Sequence, residues 1–523
     1  MQRGDWRSAS DQFRAALAVA DSPEGHEGLA LACFWQGDAQ SALQVQETAY
    51  RLYQQRGDRQ SAARVATWLA LEYAMSRGQS AVANGWLQRA HRLLAGLGAS
   101  SELAWLLFWE AHILLLYSGD LEKARARLTE ALTLARDAGV RDVEMMAVGL
   151  EGVMLVNEGN LAEGMRRLDE VGTAAVSGEI GDFCATGNAC CYVLTACESV
   201  YDFKRAAQWL ARVRDHHAPL RLVPYDSYCR SHGINILLGT GRWKEAEEDI
   251  EKLRREGEAM APSLIPEAIS RLGELRRRQG RTREAEALFA EVDTHPRAIL
   301  GRAWIDLASG NPRRAVEMVE RYFRQHPPGH RLARLPGLEL LVEAHAAQRN
   351  ISAAIAALGE LRELADQLGS AAPRAMVRIA AGRVACATGE HDAARREFED
   401  AVTEFERLGA PYEAARARHA LARCLSDLGR PAEAAQETKK ADESLRSLGV
   451  ISDRPPSIAG LTSREQDVIR LVAKGLSNKE IAATLGLSEH TVHRHVGNIL
   501  TRLDLPSRSA AVAHAAKLGL LKS

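Results

Sequence analysis

Proline is scarce, at 16 in 523 residues, and cysteine is scarcer, at eight. With 41 glycines and 46% hydrophobic side chains beside them, a collagen-like, mucin-like or wholly disordered chain is excluded. Eight cysteines in so long a chain make no disulfide framework, and no apolar signal segment opens the sequence. A reducing, cytoplasmic setting is expected. The most apolar run, Leu103 to Tyr117, is interrupted by Glu110 and His112 and falls short of the roughly 20 residues of a membrane span. It reads as a buried helix, and no membrane partner is expected. None of the ten lysines follows a glycine, so a phosphate-binding loop ending in Gly-Lys-Ser/Thr is impossible. No catalytic constellation is found; the expectation is a protein that is not an enzyme, with no cofactor and no metal.

Single cores stop growing at about 250 to 300 residues, so 523 residues imply several domains or one elongated array. The formal net charge of -1 hides an asymmetry. From Ser457 to Ser523 nine Lys and Arg stand against five Asp and Glu, which leaves 58 basic against 63 acidic residues in the rest. A small basic tail on a mildly acidic body points to an anion-binding unit.

The body is built on a repeat. A short polar turn, usually Gly followed by Asp, Asn, Arg, Gln or Glu, recurs at Gly4, Gly37, Gly78, Gly119, Gly159, Gly241, Gly280, Gly310, Gly389 and Gly429, and Tyr201 and Arg349 fill the two gaps. Most spacings are 39 to 42 residues, with 33 at the start and 30 between Gly280 and Gly310. Five residues after each turn stands Ala, with Gly164 the exception, and four residues further the position is apolar in ten of twelve cases, Phe289 and Phe398 among them. A small and a bulky residue at i and i+4 share one helical face, so each turn opens a helix that a neighbour approaches closely at the Ala. Helical hairpins repeated this way must stack into a solenoid.

The Ala-x3-Phe/Leu signature after a Gly turn resembles the second helix of a tetratricopeptide repeat, with a period near 40 rather than 34. Longer helices or loops, as in the sensor superhelix of MalT-like regulators, account for the difference; a HEAT-like array is the other reading. The chain starts three residues before Gly4, so the first helix of that hairpin is expected to be missing or reduced to a stub; either the array has a bare end or the natural start lies upstream.

Five cysteines, Cys184, Cys190, Cys191, Cys197 and Cys229, gather between 184 and 229 with several Tyr, Trp and His. Burial between hairpins is one reading. A zinc site is another, although the paired ligand spacing is absent. The third is an effector pocket of Cys191, Tyr192, Tyr201, Trp209, Tyr225, Tyr228 and His232. The segment Ser177 to Trp243 also resembles the middle of bacterial regulators that join such repeats to a LuxR-type tail.

The repeat stops near Gly449, and 451–460 (ISDRPPSIAG) reads as linker because of its two prolines. Thr462 to Glu465 forms a capping box that opens a helix with Val468, Ile469, Leu471 and Val472 inward, ended by Gly475. Ser477 to Glu480 is a second capping box, opening a helix with Ile481, Ala482 and Leu485 on its apolar face. Gly486 then supplies a turn. A third helix starts at Ser488 and carries Val492, Val496, Ile499 and Leu503 on one side. Pro506 and Ser507 start a fourth, which ends near Gly519. Helix, Gly turn, helix is the arrangement that puts the second helix into the major groove. His490, His493, Arg494 and Asn498 are the expected base contacts. Asn478, Lys479, Ser488, Thr491, Arg502 and Arg508 are suited to phosphates.

The stretch from Leu461 to Ala515 resembles the LuxR/GerE-type DNA-binding domain through Leu461-Thr462-x-Arg464-Glu465, Ser477-Asn478-Lys479-Glu480-Ile481-Ala482, Thr491-Val492, His495, Asn498-Ile499 and Arg508. The resemblance implies a four-helix tail that dimerises on DNA through its last helix, Ser507 to Leu518. The chain departs from the family at His493 and Gly497, where Lys and a further basic residue are usual. His495, next to the core position Val496, reads as a packing residue. Neither a phospho-receiver nor an acyl-homoserine-lactone domain fits a body without strands.

The expected fold is therefore all-α: a tetratricopeptide-like α-solenoid of about 11 to 12 helical hairpins over 1–448, a linker over 449–459, and a four-helix LuxR-type helix-turn-helix domain over 460–523. The expected function is a bacterial transcription regulator. It binds double-stranded DNA as a homodimer under the control of a small-molecule effector or protein partner, with RNA polymerase as a further contact. The alternative is a protein-interaction scaffold whose tail docks protein.

Overall fold

The computed structural model describes residues 5–220, 222–326, 331–450, 461, 463–485, 487–503 and 505–517. The turn at Gly4, the linker at 451–460, Thr462, the turn at Gly486 and the end of the last helix beyond Lys517 lie outside the described residues. Helices are the only extended elements among those described, and there is no strand. Two compact units result, 1–450 and 451–523.

The first unit begins with a single helix, Trp6–Val19, and continues as hairpins. The first five pair Pro23–Gln36 with Ala39–Arg56, Arg59–Met75 with Ser80–Leu94, Ser101–Leu116 with Leu121–Ala138, Arg141–Asn157 with Leu161–Ser177, and Phe183–Ser199 with Phe203–His217. Six more pair Val223–Gly239 with Trp243–Met260, Ile265–Arg278 with Thr282–Glu291, Pro296–Ala308 with Pro312–Gln325, Arg331–Ala347 with Ile351–Leu368, Ala371–Thr388 with His391–Arg407, and Pro411–Asp427 with Pro431–Ser447. The short spacing between Gly280 and Gly310 is the ten-residue helix Thr282–Glu291 and its short successor.

The turn chemistry explains the repeat. Gly37 adopts φ +90°, and the amide of Asp38 reaches back to the Cys33 carbonyl at 3.0 Å. Asp38 then caps the next helix by accepting from the Ser41 amide at 3.1 Å. Tyr201 and Arg349, the two residues that stand where the turn has no glycine, take φ of +58° and +56° and are the only non-glycine residues with positive φ among those described. The repeated Ala positions are buried, from Ala9 to Ala434. Gly164 departs from the rule because a Cβ there would meet Val156 Cγ2 at 2.8 Å and the Gly152 carbonyl at 2.9 Å, so the two helices cross at backbone distance. Elsewhere a bulky ring fills the space over a glycine, as Phe398 does over Gly382 and Phe289 over both Gly273 and Gly301.

The hairpins also touch others about five units along the chain. Trp6 Nε1 donates to the Leu220 carbonyl at 2.8 Å, Ser263 Oγ to the Met75 carbonyl at 2.6 Å, and Ser370 Oγ to the Val200 carbonyl at 3.2 Å. The array is thus wound tightly enough to bring distant charged groups together. Arg416 donates to Glu413 at 2.7 Å, Glu343 at 3.1 Å and Glu339 at 3.3 Å, and lies 4.5 Å from the Trp304 ring. Burial opposes the charge of Glu274, yet Arg277 and Arg278 outweigh it and hold that carboxyl well below the ordinary range. Burial prevails at Glu339, which is pushed up to about 7. At the end of the unit Gly449 takes φ +79° after the last helix, and Val450 packs against the cluster around Trp243. No helix among the described residues is long and apolar enough to cross a membrane.

Among the described residues the second unit holds four helices, Ser463–Ala473, Asn478–Leu485, Glu489–Arg502 and Arg508–Lys517. Val468, Ile469, Val472, Ile481, Ala482, Val492, Ile499 and Ala511 form its core, and Leu471, Leu485, Val496 and Leu503 pack on it half-buried. This one small cluster fixes how the second and third helices cross.

Candidate nucleic-acid interface

Each helix of the second unit has a chemical start or stop. Gly475, at φ +83°, ends the first helix, with the Leu476 amide returning to the Leu471 carbonyl at 3.2 Å. The Ser477 amide donates to Glu480 Oε2 at 2.7 Å and the Glu480 amide to Ser477 Oγ at 3.3 Å, a reciprocal capping box. Those bonds hold the Glu480 carboxyl below its ordinary range. Ser488 caps the third helix by accepting from the Thr491 amide at 3.1 Å, and Ser507 accepts from the Ala510 amide at 3.2 Å.

The third helix is two-faced. Val492 and Ile499 are buried, whereas His490, His493, Arg494, Gly497 and Asn498 are all exposed on the opposite side. His495 lies between the faces, half-buried, with its Nδ1 enclosed by protein. Nothing lies within 4 Å of a Cβ placed on Gly497, so the outer surface is open there.

The six residues suited to phosphates divide into two groups. Lys479 and Ser488 are exposed at the starts of the second and third helices, and Thr491 is half-buried with its hydroxyl 2.7 Å from Ser488 Oγ. Asn478, Arg502 and Arg508 also hold the fold together. Arg508 donates to Asn478 Oδ1 at 2.7 Å and to the Leu476 carbonyl, and Arg502 donates to the buried Glu465 at 2.6 Å. The sequence places Glu465 in a capping box and in the LuxR-type motif, but not its partner 37 residues on.

The aromatic and cysteine region of the first unit is organised differently. Tyr192 Oη lies 2.5 Å from His112 Nδ1, Trp209 Nε1 donates to Asp169 at 2.9 Å, Tyr225 Oη donates to the Cys184 carbonyl at 2.7 Å, and His232 Nδ1 lies 3.0 Å from Glu198. Tyr201 is the left-handed turn residue, and Cys191 is half-buried. Tyr225 and Tyr228 border a cavity of about 30 Å³ together with Glu72, Ser76 and Cys184, while the other five do not border it. A space of that size has room for one or two waters.

Four helices on one small core, the third with an exposed polar face behind a capped start, define a helix-turn-helix domain of the kind that enters a DNA groove. Residues 459–515 match the family described as bacterial regulatory proteins, luxR family, and residues 1–56 and 379–444 match a tetratricopeptide repeat family. The chain therefore carries a LuxR-type helix-turn-helix domain at its C-terminal end and tetratricopeptide repeats ahead of it.

Over 60 residues, 12% of this chain and 28% of the relative, it is 50% identical to the uncharacterized transcriptional regulatory protein YhcZ of Bacillus subtilis. Over 74 residues, 14% of this chain and 34% of the relative, it is 39% identical to the nitrate/nitrite response regulator protein NarP of Escherichia coli. The chain spans about a third or less of the length of these curated relatives. The crystal structure of an APC/C hetero-tetramer Cut9-Hcn1 is similar at a TM-score of 0.46 and 13% identity, covering 98% of this chain and 93% of that one. The matched families are regulatory and repeat families rather than enzyme families.

Proposed function

We propose that this protein is a DNA-binding transcription regulator whose Glu489–Arg502 helix reads the major groove and whose helical repeats receive the controlling signal. The observation that carries this reading is the open outer face of that helix, with Arg494 and Asn498 exposed while Val492 and Ile499 anchor the opposite side. In this reading Arg494 gives a bidentate pair to guanine and Asn498 one to adenine, with His490 and His493 at neighbouring base edges. Lys479, Ser488 and Thr491 bind phosphate, and Asn478, Arg502 and Arg508 add charge or polarity from positions that the fold holds rigid.

The tail carries few cations, so useful affinity requires two copies on paired half-sites about 34 to 36 Å apart. A homodimer on DNA follows, with RNA polymerase as a further partner. An effector or protein bound to the repeats then shifts the population in which both tails reach their half-sites. The naming of relatives as transcriptional and response regulators agrees with this reading.

Binding of duplex DNA by the full chain and by Arg494→Ala, measured against salt concentration, tests the proposal. The wild type should lose affinity steeply as salt rises, and the variant should lose sequence preference. A wild type that ignores duplex DNA at low salt overturns it.

A second reading, a protein-interaction scaffold, is favoured by one feature. An open groove of about 1190 Å³, bordered by Leu103, Leu107, Arg125, Arg127 and Glu130, runs along the repeat unit. The same titration separates the two, because a scaffold shows neither salt-dependent duplex binding nor an effect of Arg494→Ala.

A further inference from the structure

Outside the DNA-reading tail, one group of side chains has the chemistry of a metal site. Cys386 lies in the last turn of the Ala371–Thr388 helix, His391 opens the His391–Arg407 helix, and Cys424 reaches the same point from the Pro411–Asp427 helix. The two sulfurs and an imidazole nitrogen all lie within 4.8 Å of one another. Three ligands on a tetrahedral zinc ion stand about 3.5 to 3.8 Å apart, given Zn–S of about 2.3 Å and Zn–N of about 2.0 Å. Small side-chain rotations close that gap.

Two further observations point to a ligand at this place. His391 Nδ1 is buried without a hydrogen-bond partner, a costly state for a ring nitrogen. Cys424 is fully buried, and its thiol has only the His391 carbonyl, at 3.1 Å, as a hydrogen-bond acceptor outside the sulfur pair.

We infer that Cys386, His391 and Cys424 bind one Zn2+ ion, with water in the fourth position. On binding, each thiol releases its proton to solvent and each sulfur forms a bond to the metal, while the neutral imidazole donates a lone pair. Two thiolates neutralise the divalent charge, which suits a site this enclosed. Thiolate and imidazole ligands exclude Mg2+ and Ca2+, which require oxygen. Cys386 and His391 are only half-buried, which leaves the ion a way in. The bound ion pins the turn at Gly389 to the next hairpin. This inference is independent of DNA binding.

The test uses the full chain, reduced and stripped of metal by a chelator, then titrated with Co2+ and, in competition with a chromophoric chelator, with Zn2+. One equivalent of Co2+ should give a thiolate-to-metal charge-transfer band, and zinc should displace it. Cys386→Ser combined with Cys424→Ser should abolish the band and weaken zinc binding by at least about 100-fold, and His391→Asn should weaken it by about 10-fold or more. Cys191→Ser should bind as the wild type does. Because the double variant removes a buried thiol, His391→Asn, checked for native helicity, carries the test if the double variant misfolds. Absence of the band in wild type, a band that survives His391→Asn with unchanged affinity, or a Cys386–Cys424 disulfide in metal-free protein prepared under reductant overturns the inference.

Discussion

Arg502 donates to the buried carboxylate of Glu465 across 2.6 Å, tying the end of the Glu489–Arg502 helix to the first helix of the tail. A carboxylate this enclosed is stable only while its charge is met. Replacing the guanidinium by the apolar Arg502→Met should raise the opening rate of both helices by an amount equivalent to about 1 to 3 kcal/mol. Hydrogen exchange of the full chain, read over 465–473 and 489–502, checks this. Unchanged protection there would mean that Arg502 serves phosphate alone.

Gly497 is a gap in the exposed face of the Glu489–Arg502 helix. Nothing lies within 4 Å of a Cβ built on it, so Gly497→Lys fits without clash. A helical interior gains roughly 0.5 to 1 kcal/mol when glycine is replaced by a side chain. If the new ammonium reaches a phosphate, the slope of log affinity against log salt steepens by about 0.9 for each tail bound, about 1.8 for the dimer. Thermal unfolding and a salt series on one duplex separate the two effects. A stabilised variant with an unchanged slope would place residue 497 away from the backbone of the DNA.

The repeat was legible in the sequence down to its irregularities. Tyr201 and Arg349 occupy the two turns without glycine, and both adopt the left-handed conformation that the register demands. The tail was equally legible, because caps and the 3.6-residue period act over three or four residues: Ser477 with Glu480 and Ser488 with Thr491 are local bonds. What was not legible depends on the winding of the array. His112 meets Tyr192 80 residues away, and Arg416 meets Glu339 77 residues away, so neither partner is announced by its neighbours. The cysteine-rich stretch drew notice by composition, yet its polar groups are largely engaged with internal partners. Cys386 and Cys424 stand 38 residues apart, close to one repeat, with His391 just after the turn. Reading cysteines by their place in the repeat instead of their density is the signal that would have found them.

Glu72 makes the stability of the repeat unit depend on pH. Burial pushes its carboxyl up to about 7, although Ser76 Oγ donates to it at 2.9 Å. The unfolded chain releases this proton near 4.5, whereas the folded chain keeps it until about 7. Between those values the folded state binds more protons, so stability falls as pH rises and reaches its lower level above 7. The loss is on the order of 3 kcal/mol. Glu72→Gln removes the titration. Relative to that variant, the wild type should be less stable at pH 8 than at pH 4.5, which unfolding midpoints at the two pH values measure. A wild-type-to-variant difference that is the same at both would remove Glu72 as the cause.

Gly164 and Arg349 make opposite predictions about the same repeat. At Gly164 the consensus alanine would press its Cβ to 2.9 Å from the Gly152 carbonyl, and a backbone atom has no rotamer by which to retreat. Gly164→Ala should therefore cost about 1 to 3 kcal/mol as the two helices are forced apart, despite the better helix propensity of alanine. At Arg349 the side chain is exposed and the backbone sits at φ +56°, where a Cβ is penalised by roughly 1 to 2 kcal/mol. Arg349→Gly should recover about 1 kcal/mol, because glycine carries no such penalty and nothing buried is lost. Chemical denaturation of both variants reads the two signs directly. Should Gly164→Ala stabilise or Arg349→Gly destabilise, the helix crossing at Gly152 or the turn geometry at Arg349 is not what limits the packing of these hairpins.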